Sequence, residues 1–216
     1  MKEYFGSLVA CPLFSGMEEE MLSAQLQRLG AKLLTVKKGG VILREGDPAR
    51  SFGVVLSGRA QVIRMDYFGN RSIVAEVTPS QLFGEVFACA GVQILPVSVT
   101  AAADTTALML DAQKIMGEGE PFSGGLVLRL LKIVAEKTLL MNRKIDVVSK
   151  RTTREKLMTY LLGQAKMQGS SQFRIPFDRQ ELADYLEVEQ SGLSAEIGKL
   201  RREGVLSCRR SEFTLL

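Results

Sequence analysis

Apolar and polar residues change rhythm along this chain, and each rhythm predicts a different kind of element. From about Lys32 to Asp111 they run in short β-rich pieces, punctuated by Gly40, Gly46, Gly58, Gly69 and Gly84. The clearest strands are Phe52-Gly-Val-Val-Leu56 and Ala60-Gln-Val-Ile-Arg-Met65. Many short strands separated by glycine turns predict a sandwich or barrel. Helical spacing flanks this block, over Glu18 to Arg28 before it and over about Phe122 to Ser149 after it.

The long helical segment carries two stripes. Val127, Leu131, Val134, Thr138, Met141, Ile145 and Val148 recur at alternating spacings of four and three, a heptad seam. Leu126, Leu130, Ile133 and Leu140 form a second stripe beside it. A helix of roughly 40 Å with two apolar stripes must touch two surfaces. The expected arrangement packs one stripe on the chain's own barrel and the seam on the same helix of a second subunit. A long helix buried wholly within a monomer is the alternative. Ser149-Lys150-Arg151 then forms a hinge, followed by a helix from Thr153 to Met167.

The last forty residues predict two short helices and a hairpin. Asp178 and Glu181 stand at capping-box spacing ahead of Leu182, Ala183 and Leu186. After a tight turn, Leu193, Ile197 and Leu200 make an inward stripe, with Ser191, Ala195, Gly198 and Arg202 on the opposite face and Gly204 as the stop. Val205 to Leu216 reads as two strands with Arg209 and Arg210 at the tip. A helix pair ending in a basic cluster and followed by a hairpin is the pattern of a winged helix-turn-helix, which places its second helix in a DNA groove.

Composition narrows the possibilities. The 216 residues are 46% hydrophobic, enough for a substantial core in one large or two modest domains. Residues 150–216 hold 12 Lys and Arg against 9 Asp and Glu, whereas the remainder is almost balanced, so the basic excess sits beside the helix pair. Arg129, Lys132, Glu136 and Lys137 interrupt the longest apolar stretches, so no membrane span is expected. Leu8-Val-Ala-Cys11 resembles a lipoprotein box, but only seven residues precede it. Three cysteines without metal-type spacing fit a reducing cytoplasm. The chain has no histidine, which removes the usual general base and the usual jelly-roll metal ligand. No catalytic residue, metal or cofactor is expected.

The order of parts, with Gly58 following Val54-Val-Leu-Ser57 and Leu82-Phe-Gly-Glu85 at a turn, resembles the bacterial Crp/Fnr transcription regulators over nearly the whole length. The resemblance implies an α+β chain: an effector-sensing β-roll of the cyclic-nucleotide-binding type over 1–121, a dimerisation helix over 122–149, and a winged helix-turn-helix over 150–216. It implies a homodimer that binds double-stranded promoter DNA, with RNA polymerase as a partner and a small-molecule effector. The effector pocket would be lined by Phe83, Gly84, Glu85, Cys89, Leu95, Pro96, Leu139 and Leu140.

Two departures from the family pattern matter. Members that bind cyclic nucleotides grip the phosphate with an Arg-Ser pair about ten residues after Phe-Gly-Glu; Leu95 and Pro96 stand there instead. From Val86 to Gln113 there is no Lys or Arg, so the pocket is expected to be apolar, the effector not to be cyclic AMP, and Glu85 to cap a turn. Cys89 is the candidate thiol sensor. Iron–sulfur ligation is not expected from Cys11, Cys89 and Cys208, and haem ligation through Cys11 is outweighed by the role of a small residue before a helix N-terminus. The base-reading arginines of many members are replaced by Gln190, Ser191 and Ala195, so an unusual operator is expected. Gln190 can pair with adenine and Ser191 or Ser194 can reach either base, while Lys199, Arg201, Arg202, Arg209 and Arg210 supply positioning contacts. The competing reading is a ligand-binding or protein-interaction module whose winged helix no longer reads DNA.

Overall fold

The computed structural model describes residues 2–116 and 123–216. It divides into two compact units, Met1–Asn70 with Val74–Thr138, and Leu139–Leu216 with Arg71–Ile73. The expected start of the long helix at Phe122, and the boundary between 121 and 122, lie outside the described residues.

The first unit opens with a short 3-10 turn, Lys2–Tyr4, then α1 (Phe5–Ala10) and α2 (Glu19–Arg28). Eight strands follow: β1 (Lys32–Val36), β2 (Val41–Leu43), β3 (Ser51–Ser57), β4 (Ala60–Met65), β5 (Arg71–Val77), β6 (Leu82–Phe83), β7 (Ser98–Ala101) and β8 (Thr105–Asp111), with α3 (Glu85–Cys89) between β6 and β7. They form two four-stranded sheets, ordered β1-β8-β3-β6 and β2-β7-β4-β5, the jelly roll that the glycine-punctuated pattern predicts. After α4 (Gln113–Met116), α5 runs over Ser123–Val148.

Residues on β3 are buried on both faces, and the two-residue strand period sends them into two cores. Phe52, Val54 and Leu56, with Leu82, Leu108 and Leu110, join Leu8, Leu13, Phe14, Leu22 and Leu26 of the N-terminal segment in a cluster outside the roll. Val55, Phe83, Ala60, Val99 and Ala107 pack in the cluster between the sheets. Gly53 makes room for Phe83: a Cβ there would lie 2.2 Å from the ring. Gly58 turns β3 into β4 at φ +83, where a Cβ would meet the Asp104 carbonyl at 2.1 Å.

Leu126, Leu130 and Ile133 of α5 are buried in the outer cluster, as the second stripe predicts. Leu140 is not; it is half exposed. Leu140 falls in the second unit, whereas Leu126, Leu130 and Ile133 fall in the first.

The second unit contains α6 (Thr153–Gln168), β9 (Gln172–Arg174), α7 (Arg179–Leu186), α8 (Gln190–Arg202), β10 (Leu206–Arg209) and β11 (Glu212–Leu215). Thr152 and Glu155 form a capping box at the start of α6. The wing is a three-stranded sheet ordered β10-β11-β9, one strand more than the hairpin that the sequence pattern shows. Leu182, Ala183, Leu186, Leu193 and Leu200 have no measurable exposure and hold α7 and α8 together.

Candidate DNA-binding surface and effector pocket

The helix pair starts where Asp178 dictates. Its carboxylate accepts from the Glu181 N–H at 2.8 Å, and the Glu181 carboxylate accepts from the Asp178 N–H at 2.9 Å, so two otherwise orphaned donors are satisfied. Glu187 ends α7 in the left-handed region at φ 54, and Glu189 precedes α8 without capping it through its side chain. Beyond this turn Gln190, Ser191, Ser194, Ala195, Lys199, Arg201 and Arg202 are all exposed along α8. Two of the acidic residues of this segment are paired by Arg154 of α6, which lies 3.4 Å from Glu196 and 2.7 Å from Glu203, whereas Glu189 at the entrance of α8 is exposed and would repel phosphate. The hydrogen bond from Arg154 holds the Glu203 carboxyl below its ordinary range.

Arg209 and Arg210 are exposed on the wing, Arg210 in the β10–β11 turn at φ 54 and Arg209 opposite Glu212 in register. Arg179, at the start of α7, lies over the Phe213 ring at 5.2 Å and reaches the Cys208 sulfur at 3.2 Å, joining the helix pair to the wing. Sequence reasoning did not single out Arg179, because neither contact leaves a local periodicity.

The predicted pocket residues of the first unit are not gathered into one apolar cavity lining. Phe83 is fully buried between the sheets, whereas Cys89 packs against the outer cluster. Leu95 is buried and Pro96 exposed. Gly84, at φ 80, is the N-cap of α3, so the turn is capped by glycine rather than by Glu85. Glu85 begins α3, is 1% exposed, and its Oε1 lies 2.7 Å from the Lys137 ammonium of α5, which also donates to the Leu82 carbonyl at 2.6 Å. Neither carboxylate oxygen has a hydrogen-bond partner among the described residues, so the Lys137 contact is an ion pair rather than a hydrogen bond. The expectation of a pocket without a nearby cation is therefore corrected. A count along the β-roll could not see a lysine 52 positions downstream; the available signal was a charge at 137 in line with the inward stripe of Leu126, Leu130 and Ile133. Lys137→Met should lower unfolding free energy by about 2 kcal/mol, because it strands a buried carboxylate, and adding Glu85→Gln should recover much of that loss in denaturant titrations.

Leu139 and Leu140 are exposed on α5, at 61% and 50%. Burial, and secondarily the Glu85 charge, push the Cys89 thiol up, so it stays protonated and a poor nucleophile at neutral pH. Cys11 follows α1 directly and is fully buried, and its thiol is likewise raised by burial. No group of three or more candidate metal ligands occurs among the described residues. No described helix is long and apolar enough to cross a membrane.

Comparison with known proteins agrees with both halves. Residues 33–117 match the cyclic nucleotide-binding domain family, and residues 155–216 match the Crp-like helix-turn-helix domain family. The chain belongs to the Crp/Fnr family. It is 24% identical over 186 residues to the transcriptional activator protein FnrA of Stutzerimonas stutzeri, covering 84% of this chain and 75% of that one. Among solved structures it resembles the c-di-GMP-responsive global regulator CLP of Xanthomonas campestris, with a TM-score of 0.73 at 15% identity over 89% of this chain and 98% of that one. FixK2 of Bradyrhizobium japonicum has a TM-score of 0.68 at 19% identity, over 86% and 92% of the two chains. This Crp/Fnr chain is thus a DNA-binding transcription regulator.

Proposed function

We propose that this regulator works in the cytoplasm as a homodimer joined along α5, with the β-roll (1–121) answering to a neutral small molecule other than cyclic AMP. The helix over 122–149 then carries the dimer seam, and 150–216 docks on palindromic promoter DNA beside RNA polymerase. The observation that carries the reading is the state of the seam. On a helix whose neighbouring stripe is buried, Val127, Leu131, Met141 and Ile145 are exposed at heptad spacing, Leu131 at 63% and Ile145 at 55%, and Val134 and Val148 are half-buried. A contiguous apolar stripe of this kind on a water-exposed helix is the face of an interface.

For the effector, the open acceptor on Glu85 favours a ligand that brings a hydrogen-bond donor, and Lys137, already satisfied by Glu85 and Leu82, favours one without an anion. Phe83, Gly84, Leu95 and Pro96 are the remaining proposed pocket residues of the first unit. Cys89, with its raised thiol, is proposed as packing rather than as a redox sensor.

On DNA, Lys199, Arg201, Arg202, Arg209 and Arg210 are proposed to hold phosphates, and Gln190, Ser191, Ser194 and Ala195 to face base edges. Each phosphate contact releases counterions, so Arg202→Ala or Arg209→Ala should flatten the salt dependence by about one unit and weaken all sequences alike. Gln190→Ala should cost about 1–3 kcal/mol at one base position and leave the salt slope unchanged. Salt titrations of each variant on the best selected site check both outcomes. Equal salt slopes for wild type and both arginine variants would show that this face does not hold phosphate.

A further inference from the structure

Lys144 is a lysine where α5 should offer an apolar side chain. It follows Lys137 by one heptad, its side chain is only 7% exposed, and it belongs to the second unit. Removing an ammonium from water costs several kcal/mol unless partners replace the lost hydration, and an apolar side chain of similar size would often stabilise such a site as well or better. What the ammonium adds is direction. Its Nζ donates to the Tyr185 carbonyl, lies 4.0 Å from the centre of the Tyr185 ring, and is 3.9 Å from a carboxylate oxygen of Glu187.

These partners are the end of α7. Helix C-termini leave carbonyls without intrahelical donors and carry partial negative charge, which cations satisfy. A second ammonium completes the set: Lys156 of α6 donates to the Leu186 and Glu187 carbonyls, both at 3.2 Å. Three consecutive carbonyls, at 185, 186 and 187, are therefore held by two lysines from two different helices. The chain turns at Glu187 in the left-handed region and enters α8 three residues later, so whatever holds these carbonyls sets how α8 leaves the turn. Lys156 ties the turn to a helix within the DNA-binding segment. Lys144 ties it to α5, between the seam residues Met141 and Ile145.

We infer that Lys144 is a positioning residue for DNA recognition: it fixes the α7–α8 turn to the helix that carries the dimer seam, and so sets the half-site spacing that the dimer accepts. This rests on the dimeric reading above. The full chain is measured on duplexes carrying the selected half-site twice, with the separation varied one base pair at a time, and on a single half-site. Wild type should show one dominant spacing. Lys144→Met keeps the aliphatic stem and removes the donor; binding at that spacing should fall about tenfold, neighbouring spacings should rise relative to it, and single half-site binding should stay within about twofold. Lys156→Met should weaken every spacing and keep the wild-type profile. A Lys144→Met profile like that of wild type, or equal losses on one half-site and two, overturns the inference. Unfolding of both Lys144→Met and Lys144→Leu overturns it as well, since the residue is then a structural requirement. A wild type without any spacing preference overturns the dimeric reading and this inference together.

Discussion

Met141→Glu is expected to turn a dimer into a monomer, or into an unfolded chain, at concentrations where wild type is dimeric. Met141 lies in the middle of the exposed heptad seam on α5, between Thr138 and Ile145. In a two-fold interface each substitution appears twice against the same surface, so two carboxylates enter an apolar contact that offers no cation. The two lysines flanking it on this helix are engaged elsewhere: Lys137 with Glu85 and Leu82, and Lys144 with the end of α7. An uncompensated buried charge costs about 3–5 kcal/mol, which weakens association a hundredfold or more. Sedimentation of both proteins at about ten micromolar measures it, in the range where weak dimers of this kind associate. A wild-type protein that stays monomeric at tens of micromolar contradicts the dimeric reading.

The second large effect is a failure to bind. Cyclic AMP and cyclic GMP should bind at least thirtyfold, and up to several thousandfold, more weakly than a site with a buried phosphate-gripping cation would hold them, the loss of about 2–5 kcal/mol expected when a buried charge pair is missing. Leu95 is buried and apolar, Pro96 has no N–H to donate, and Lys137 would have to leave Glu85 to meet the phosphate. Breaking that pair adds the cost of a stranded carboxylate. Calorimetry showing micromolar binding of either nucleotide would contradict this and give Glu85 a ribose hydroxyl as its missing partner.

Local signals made the fold legible. Gly58 is required by a turn at φ +83 against the Asp104 carbonyl, and such turns divide the roll into the short strands visible in the pattern. The capping box at Asp178 and Glu181 and the inward stripe Leu193, Ile197 and Leu200 place α7 and α8, because caps and periodicity are properties of a few neighbouring residues. β9 was missed because three residues are too few to show alternation. The first-unit site was legible in its turn, Leu82-Phe-Gly-Glu85, but not in its charges. Lys137 reads as an interruption of an apolar helix and Lys144 was not singled out, and their partners lie 52 and 41 positions away in sequence. A polar residue in line with a buried stripe must be paired, and sequence shows that a partner is needed without showing which.

Selection of bound sequences from a random duplex library, repeated across salt concentrations with the full-length chain, bears most directly on the regulator itself. With five exposed basic residues per subunit on α8 and the wing, and so about ten phosphate contacts in the dimer, affinity for the best site should fall by up to about 100,000-fold between about 50 and 200 mM salt. The enriched site should be a palindrome with half-sites about one helical turn apart. Binding to no duplex in the library, or binding indifferent to salt, would contradict the account and leave the winged helix as a surface for another protein.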